Sequence, residues 1–198
     1  MENKKGPRRI DLQLFPPPLP ESEVAAQDNG FFQIGVMGLK TEYNLGTLWR
    51  SSFQMGAAGL FVIGSRFELD SCDVLKTHLK IPMVQYSDWN HFASATPYST
   101  TWVAVEMGGE PLETFDHPKR ACYILGSEDN GLPESVLNAC HHRVSLPSVR
   151  YQSFNVAVAG SIVMYDRVSK QAKSQTKHHG AGPKPDRTKG GKRNHNHE

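Results

Sequence analysis

Ile124-Leu125-Gly126-Ser127-Glu128-Asp129-Asn130-Gly131-Leu132-Pro133 is the stretch on which the rest of the chain turns. An apolar strand ends in a glycine, a turn with two carboxylates follows, and Pro133 suits the first turn of a helix reaching about Cys140. Gly126 and Gly131 permit backbone conformations closed to other residues, so free N–H and C=O groups there can clasp a flat ligand such as adenine. Taken alone, the same string also serves as an ordinary strand–turn–helix connection.

Working outward, strand and helix patterns alternate. Phe31–Leu39, Leu60–Gly64, Met83–Tyr86, Thr101–Glu106, Ala121–Leu125 and Arg143–Leu146 have the apolar, β-branched or aromatic content of strands. Helical patterns cover about Gly46 to Ala58, with Trp49, Phe53 and Ala57 spaced by four, then Asp73–Leu79, Trp89–Ala95 and Phe154–Val168. The last is apolar nearly all round and predicts deep burial or a subunit interface. Alternation of this kind implies an α/β fold with a mainly parallel sheet flanked by helices. Such sheets bind ligands beyond the carboxyl ends of their strands, which directs attention to the loops after Leu39, Leu125 and Leu146.

The loop after Leu39 leads into Asn44-Leu45-Gly46-Thr47-Leu48-Trp49-Arg50. Asn44 is a suitable N-cap, which puts Arg50 about one turn into the helix, near its positive end. An arginine there is explained by a facing anion such as RNA phosphate, or else is a plain surface residue. The loop after Leu146 reads Pro147-Ser148-Val149-Arg150-Tyr151-Gln152-Ser153-Phe154-Asn155-Val156-Ala157, and N-capping alone would account for Ser153 or Asn155.

Bulk properties bound the alternatives. The chain has 198 residues, enough for one sizeable core, and 38% hydrophobic content, which points to unfolded ends. Residues 1–29 contain Pro16-Pro17-Pro18 and read as a disordered leader; 171–198 read as a disordered basic tail. From Lys170 onward the charge is +6 against +2 for the whole chain, leaving −4 on the body. Cys72, Cys122 and Cys140 form no C-x-x-C pair, which argues against a disulfide framework or zinc ribbon and for a reducing compartment. His141-His142 are read as ending a helix where positive charge is welcome, and no metal site is expected. The absence of a signal peptide or membrane span in this sequence predicts a cytoplasmic protein.

Together, N-x-G-x-x-x-R, L-G-S-E-x-x-G-L-P and L-P…S-x-N-V-A-x-A resemble the three signature motifs of the SpoU-type (TrmH-like) RNA 2′-O-ribose methyltransferases of the SPOUT superfamily. The resemblance covers roughly Phe31 to Val168. It implies a methyltransferase domain over residues 30–170, with a C-terminal trefoil knot, an exception to the rarity of knots. It implies S-adenosylmethionine as cofactor, held by backbone around Val105, Gly126, Leu146, Ser153 and Asn155. Arg50 is implied as the main catalytic residue, with Asn44, Glu128, Ser153 and Asn155 shaping the site. The implied substrate is structured RNA, tRNA ahead of rRNA, bound by a homodimer without membrane or metal.

Phe154 stands where that family usually has Leu, and Ser148 where Met is frequent. A dinucleotide enzyme would show G-x-G-x-x-G after the first strand, where this chain has Lys40-Thr41-Glu42-Tyr43-Asn44. The non-enzyme alternative is a catalytically silent knotted RNA-binding protein.

Overall fold

A computed structural model describes residues 30–65, 80–150 and 152–179. Among the described residues six strands form one sheet: β1 (Phe31–Met37), β2 (Gly59–Ile63), β3 (Met83–Tyr86), β4 (Thr101–Pro111), β5 (Arg120–Leu125) and β6 (His142–Ser145). The helices are α1 (Glu42–Gln54), α2 (Trp89–Ala95), α3 (Glu134–Ala139) and α4 (Val156–His179). The order is β3-β2-β1-β5-β4-β6, and every pairing is parallel. The α/β class and the parallel sheet expected from the alternation are thus observed. The expected helix at Asp73–Leu79, Cys72, the leader and residues 180–198 lie outside the described residues.

Period-two alternation divides the strand side chains between two cores. Phe32, Ile34, Val36, Leu60, Val62, Val103, Tyr123, Leu125 and Val144 face α1 and α4, where Leu45, Leu48, Trp49, Val163 and Met164 complete one cluster. Phe61, Ile63, Ala104, Cys122 and Ile124 face the other way, onto Phe92 of α2 and Leu132 and Val136 beside and in α3. Burying each such aliphatic or aromatic side chain stabilises the fold by about 1.5–3 kcal/mol. α4 lies close on α1 because it has no side chain at Gly160, where a Cβ would come within 2.5 Å of Leu48 Cδ1. The hydroxyls of Ser161 and Ser51 hydrogen-bond across the same contact, at 2.9 Å.

Several sequence expectations are corrected. α1 starts at Glu42 with Thr41 in the cap position, so Asn44 is not its N-cap and Arg50 lies two turns in rather than near the positive end. The buried face of α1 is Asn44, Leu45, Leu48, Trp49 and Ser52; Phe53 is exposed beneath Lys80 Nζ, and Ala57 follows the helix. α4 is not buried all round: Val158 and Tyr165 are 45% and 63% exposed. It also continues past Val168 to His179, into the stretch read as a tail. α3 ends at Ala139, so His141 and His142 do not close it; His141 Nδ1 instead accepts from the Trp102 N–H at 3.0 Å. β4 runs five residues past Glu106 because Val144 of β6 pairs with both Val105 and Glu110, leaving Glu106–Gly109 as a bulge.

A buried polar cluster fastens α4 to the Leu112–Lys119 segment. Arg167 is 0% exposed; its Nη1 donates to the Pro118 carbonyl at 2.7 Å and to Tyr123 Oη at 3.0 Å, over the Phe32 ring. His117 lies between Tyr123 Oη (2.6 Å from Nδ1) and Asp166 Oδ2 (2.9 Å from Nε2), and Lys170 Nζ is 2.7 Å from the same Asp166 oxygen. Because Tyr123 Oη already accepts from Arg167, its own proton is assigned towards His117 Nδ1, leaving the imidazole proton on Nε2 towards Asp166. Burial holds His117 below its ordinary pKa, against the opposing pull of Asp166, and pushes Tyr123 up to about 12.

Candidate active site

The strand order places the site. From β1 the chain steps outward to β2 and β3, then crosses so that β5 and β4 lie on the other side of β1. The loops leaving β1 and β5 therefore diverge and open a crevice at the carboxyl ends of the strands. Three separate segments supply polar side chains there. Asn44, on the first turn of α1, is only 9% exposed. Glu128 sits in the turn after β5, which closes through the Gly131 N–H donating to the Ser127 carbonyl at 3.0 Å. Asn155 precedes α4 and caps it, its Oδ1 accepting from the Ala157 and Val158 N–H groups at 3.0 and 3.3 Å.

The three side chains meet. Asn155 Nδ2 donates to Asn44 Oδ1 and to Glu128 Oε1, both at 3.1 Å, and Asn44 Nδ2 donates to the same Glu128 oxygen. Glu128 Oε1 therefore takes two amide donors, while Oε2 has no hydrogen-bond partner among the described residues. Lys40, in the loop after β1, ion-pairs with Asp129 across the same crevice.

Beside this cluster lies a cavity of about 470 Å³. Its walls come from the ends of β4 and β5, the turn after β5, and the segment before α4. Val105, Gly126, Glu128, Leu146 and Ser153 all line it, as do Leu125 and Leu132. A Cβ on Gly126 would fall 2.3 Å from the Gly131 carbonyl carbon, so only glycine lets the two sides of that turn close together. Size and lining suit a small organic ligand with an apolar plane and a few polar contacts.

Not every expected residue takes the expected place. Asn155 does not line the cavity and belongs to the hydrogen-bonded cluster instead. Ser153 lines the cavity but does not cap α4, a role taken by Asn155. Arg50 is exposed on α1 and reaches neither the cluster nor another described partner. Sequence reasoning missed Glu106, Met107 and Arg143, which also line the cavity. Gly108-Gly109 after an apolar strand was the available signal for the bulge that brings the first two there.

Among the described residues no three His, Cys, Asp or Glu side chains are grouped to hold a metal ion. Burial pushes the Cys122 thiol up to about 12 and Cys140 to about 11, which makes both poor nucleophiles. No described helix is long and apolar enough to cross a membrane.

The chain is 27% identical over 151 residues to an uncharacterized tRNA/rRNA methyltransferase of Archaeoglobus fulgidus, matching 71% of this chain and 65% of that one. It spans less than two thirds of the length of the curated relatives it matches. In fold it is similar to the AdoMet-bound rRNA methyltransferase from Sinorhizobium meliloti (TM-score 0.65, 21% identity, 71% of this chain and 57% of that one). A second similar fold is that of a structure described as giving insights into the 2-OH methylation of C/U34 on tRNA (TM-score 0.65, 22% identity, 74% and 99%). The model of the SpoU rRNA Methylase family matches residues 32–165, from β1 into α4 and through all three segments that meet at Glu128, and the chain belongs to that family.

Proposed function

We propose that this chain transfers a methyl group from S-adenosylmethionine to a ribose 2′-hydroxyl of a structured RNA, with tRNA ahead of rRNA. The observation that carries this reading is the convergence of Asn44, Glu128 and Asn155 on one hydrogen-bonded cluster, with Glu128 also in the cavity wall. The similar fold described for 2-OH methylation on tRNA supports the ribose target and the substrate class.

The cavity fits the methyl donor. Val105, Gly126, Leu146 and Ser153 would hold it, with Leu125 and Leu132 supplying apolar walls for its adenine. Once bound, it supplies an electrophilic methyl group, and the protein's remaining task is positioning and electrostatics. Asn44 and Asn155 fix the orientation of Glu128, whose Oε2, without a partner among the described residues, accepts a hydrogen bond from the substrate. Arg50 is exposed on α1, and its part is to attract the phosphate beside the target and ease loss of the hydroxyl proton. Arg50→Ala should lower methyl transfer about 100-fold. Full activity in that variant removes Arg50 from the reaction, and near-normal turnover in Arg50→Lys assigns its role to charge rather than to guanidinium shape.

The trefoil knot is part of this reading. β6 lies at one edge of the sheet beside β4, yet α4 returns to pack on α1, so the chain must cross back beyond the strand ends. A homodimer is supported by the apolar surface that Met55, just past α1, presents with Val158, Ile162 and Tyr165 of α4. The unit that carries the activity is residues 30–170, and the basic residues after Lys170 add phosphate attraction that salt weakens.

The test is incubation with tritiated S-adenosylmethionine and unmodified total RNA, followed by size separation and nuclease mapping. Label on one nucleotide of a tRNA-sized or rRNA-sized species, with the adjacent bond resistant to alkali, is the expected result. Cofactor binding without label on any RNA would replace this reading with that of a silent RNA-binding protein.

A further inference from the structure

We propose that Glu106 makes the cavity selective for the cationic methyl donor over its neutral product. The inference rests on the cofactor reading above and adds a residue that the three motifs do not contain.

Glu106 is the first residue of the β4 bulge, and its carboxylate bridges two walls of the cavity. Oε2 accepts from the Leu132 N–H at 3.0 Å and Oε1 from the Met107 N–H at 3.0 Å. The bridge is tight: a Cβ on Gly131, whose φ is +63°, would fall 2.5 Å from Glu106 Oε2. A neutral side-chain oxygen could take the Leu132 bond equally well, so bracing the turn does not require a charge.

The charged side chains lining the cavity are Glu106, Glu128, Asp129 and Arg143. Asp129 is answered by Lys40, and Arg143 lies 3.7 Å from Glu134. Glu106 and Glu128 are held by N–H donors alone, with no cation in ion-pair range among the described residues. Glu106 is half-buried whereas Glu128 is exposed, and a half-buried carboxylate without counter-charge favours a ligand that brings one.

The two forms of the cofactor differ in that respect. In transfer, the S–CH3 bond breaks and an O–CH3 bond forms, the sulfur keeps the bonding pair, and the hydroxyl proton leaves to solvent. The sulfonium becomes an uncharged thioether. The wall carboxylates therefore attract the donor more strongly than S-adenosylhomocysteine, and the loss of charge itself loosens the product.

Calorimetric titration of the full chain and of Glu106→Gln tests this. The ligands are S-adenosylmethionine, S-adenosylhomocysteine and sinefungin, which carries an amine in place of the sulfonium. We expect the preference for the two cationic ligands over the thioether to shrink about fivefold in Glu106→Gln, with thioether affinity nearly unchanged. In the wild type, the same preference should narrow as salt is raised, a measurement independent of how the variant folds. Equal weakening of all three ligands would make Glu106 a brace only and overturn the proposal, as would a preference indifferent to both charge removal and salt. A wild type that binds none of the three overturns the cofactor reading itself, and this inference with it.

Discussion

Two polar clusters hold α4, one at its start and one further along, and the two sets of bonds differ in kind. At its start, Asn155 shares Glu128 Oε1 with Asn44 at the edge of a cavity, and the other carboxylate oxygen has no hydrogen-bond partner among the described residues. Further along, Asp166, Arg167 and Lys170 interlock with His117, Tyr123 and the carbonyls of Leu112–Lys119, with Arg167 fully enclosed. Both clusters tie distant segments together. The inner one directs its charge into the protein's own backbone and side chains, as expected of a device that serves the fold. The outer one orients an acceptor and keeps it available, as expected where a substrate must complete the bonding.

The largest consequence of that contrast is in stability. Arg167→Ala removes the donors to Pro118 and Tyr123 and empties the space over Phe32, and should destabilise the protein by about 3–5 kcal/mol in denaturant unfolding. A loss under 1 kcal/mol would mean that the inner cluster does not secure α4. Asn155→Ala should do the reverse: about 1 kcal/mol in stability from the lost cap, but roughly 100-fold in methyl transfer from the lost orientation of Glu128. Parallel small losses in both measurements would erase the distinction between the clusters.

The smallest expected effect is a dependence on pH. His117 is neutral in the folded state because burial lowers its pKa, whereas in the unfolded chain it titrates near its ordinary value of 6.5. Below that value the unfolded chain takes up a proton that the folded chain resists, so stability is fully present above pH 6.5 and declines as the pH falls below it. Protonating Nδ1 would also turn a donor towards Tyr123 Oη, which already accepts from Arg167. The Tm of the wild type should fall over this window more steeply than that of His117→Gln; identical slopes would show that His117 does not report on the cluster.

The two regions also differ in how far they were legible in the sequence. Glu128 and Asn155 stand in short strings whose glycines, proline and capping residues signal a turn before a helix, and the strand alternation that positions them is equally local. Asn44 is singled out through the family motif alone: its local signal is that of a cap, whereas Thr41 takes that position and Asn44 is turned inward to Glu128. The same local signal sets Arg50 a turn too close to the helix start. The bulge that carries Glu106 depends on β6 pairing with two separated parts of β4, and nothing near Glu106 encodes that register. The inner cluster was unreadable for a similar reason: Asp166, Arg167 and Lys170 look like the polar side of an ordinary helix until the Leu112–Lys119 segment is laid against them.

Asn155 and Asn44 are 111 residues apart in sequence, yet both donate to a single oxygen atom of Glu128. The arrangement exists only when α4 has docked, so a chain still emerging during synthesis, with strands β1 to β5 already made, has Glu128 without its Asn155 donor. The cluster is thus a late product of folding, assembled from segments that the ribosome releases far apart in time.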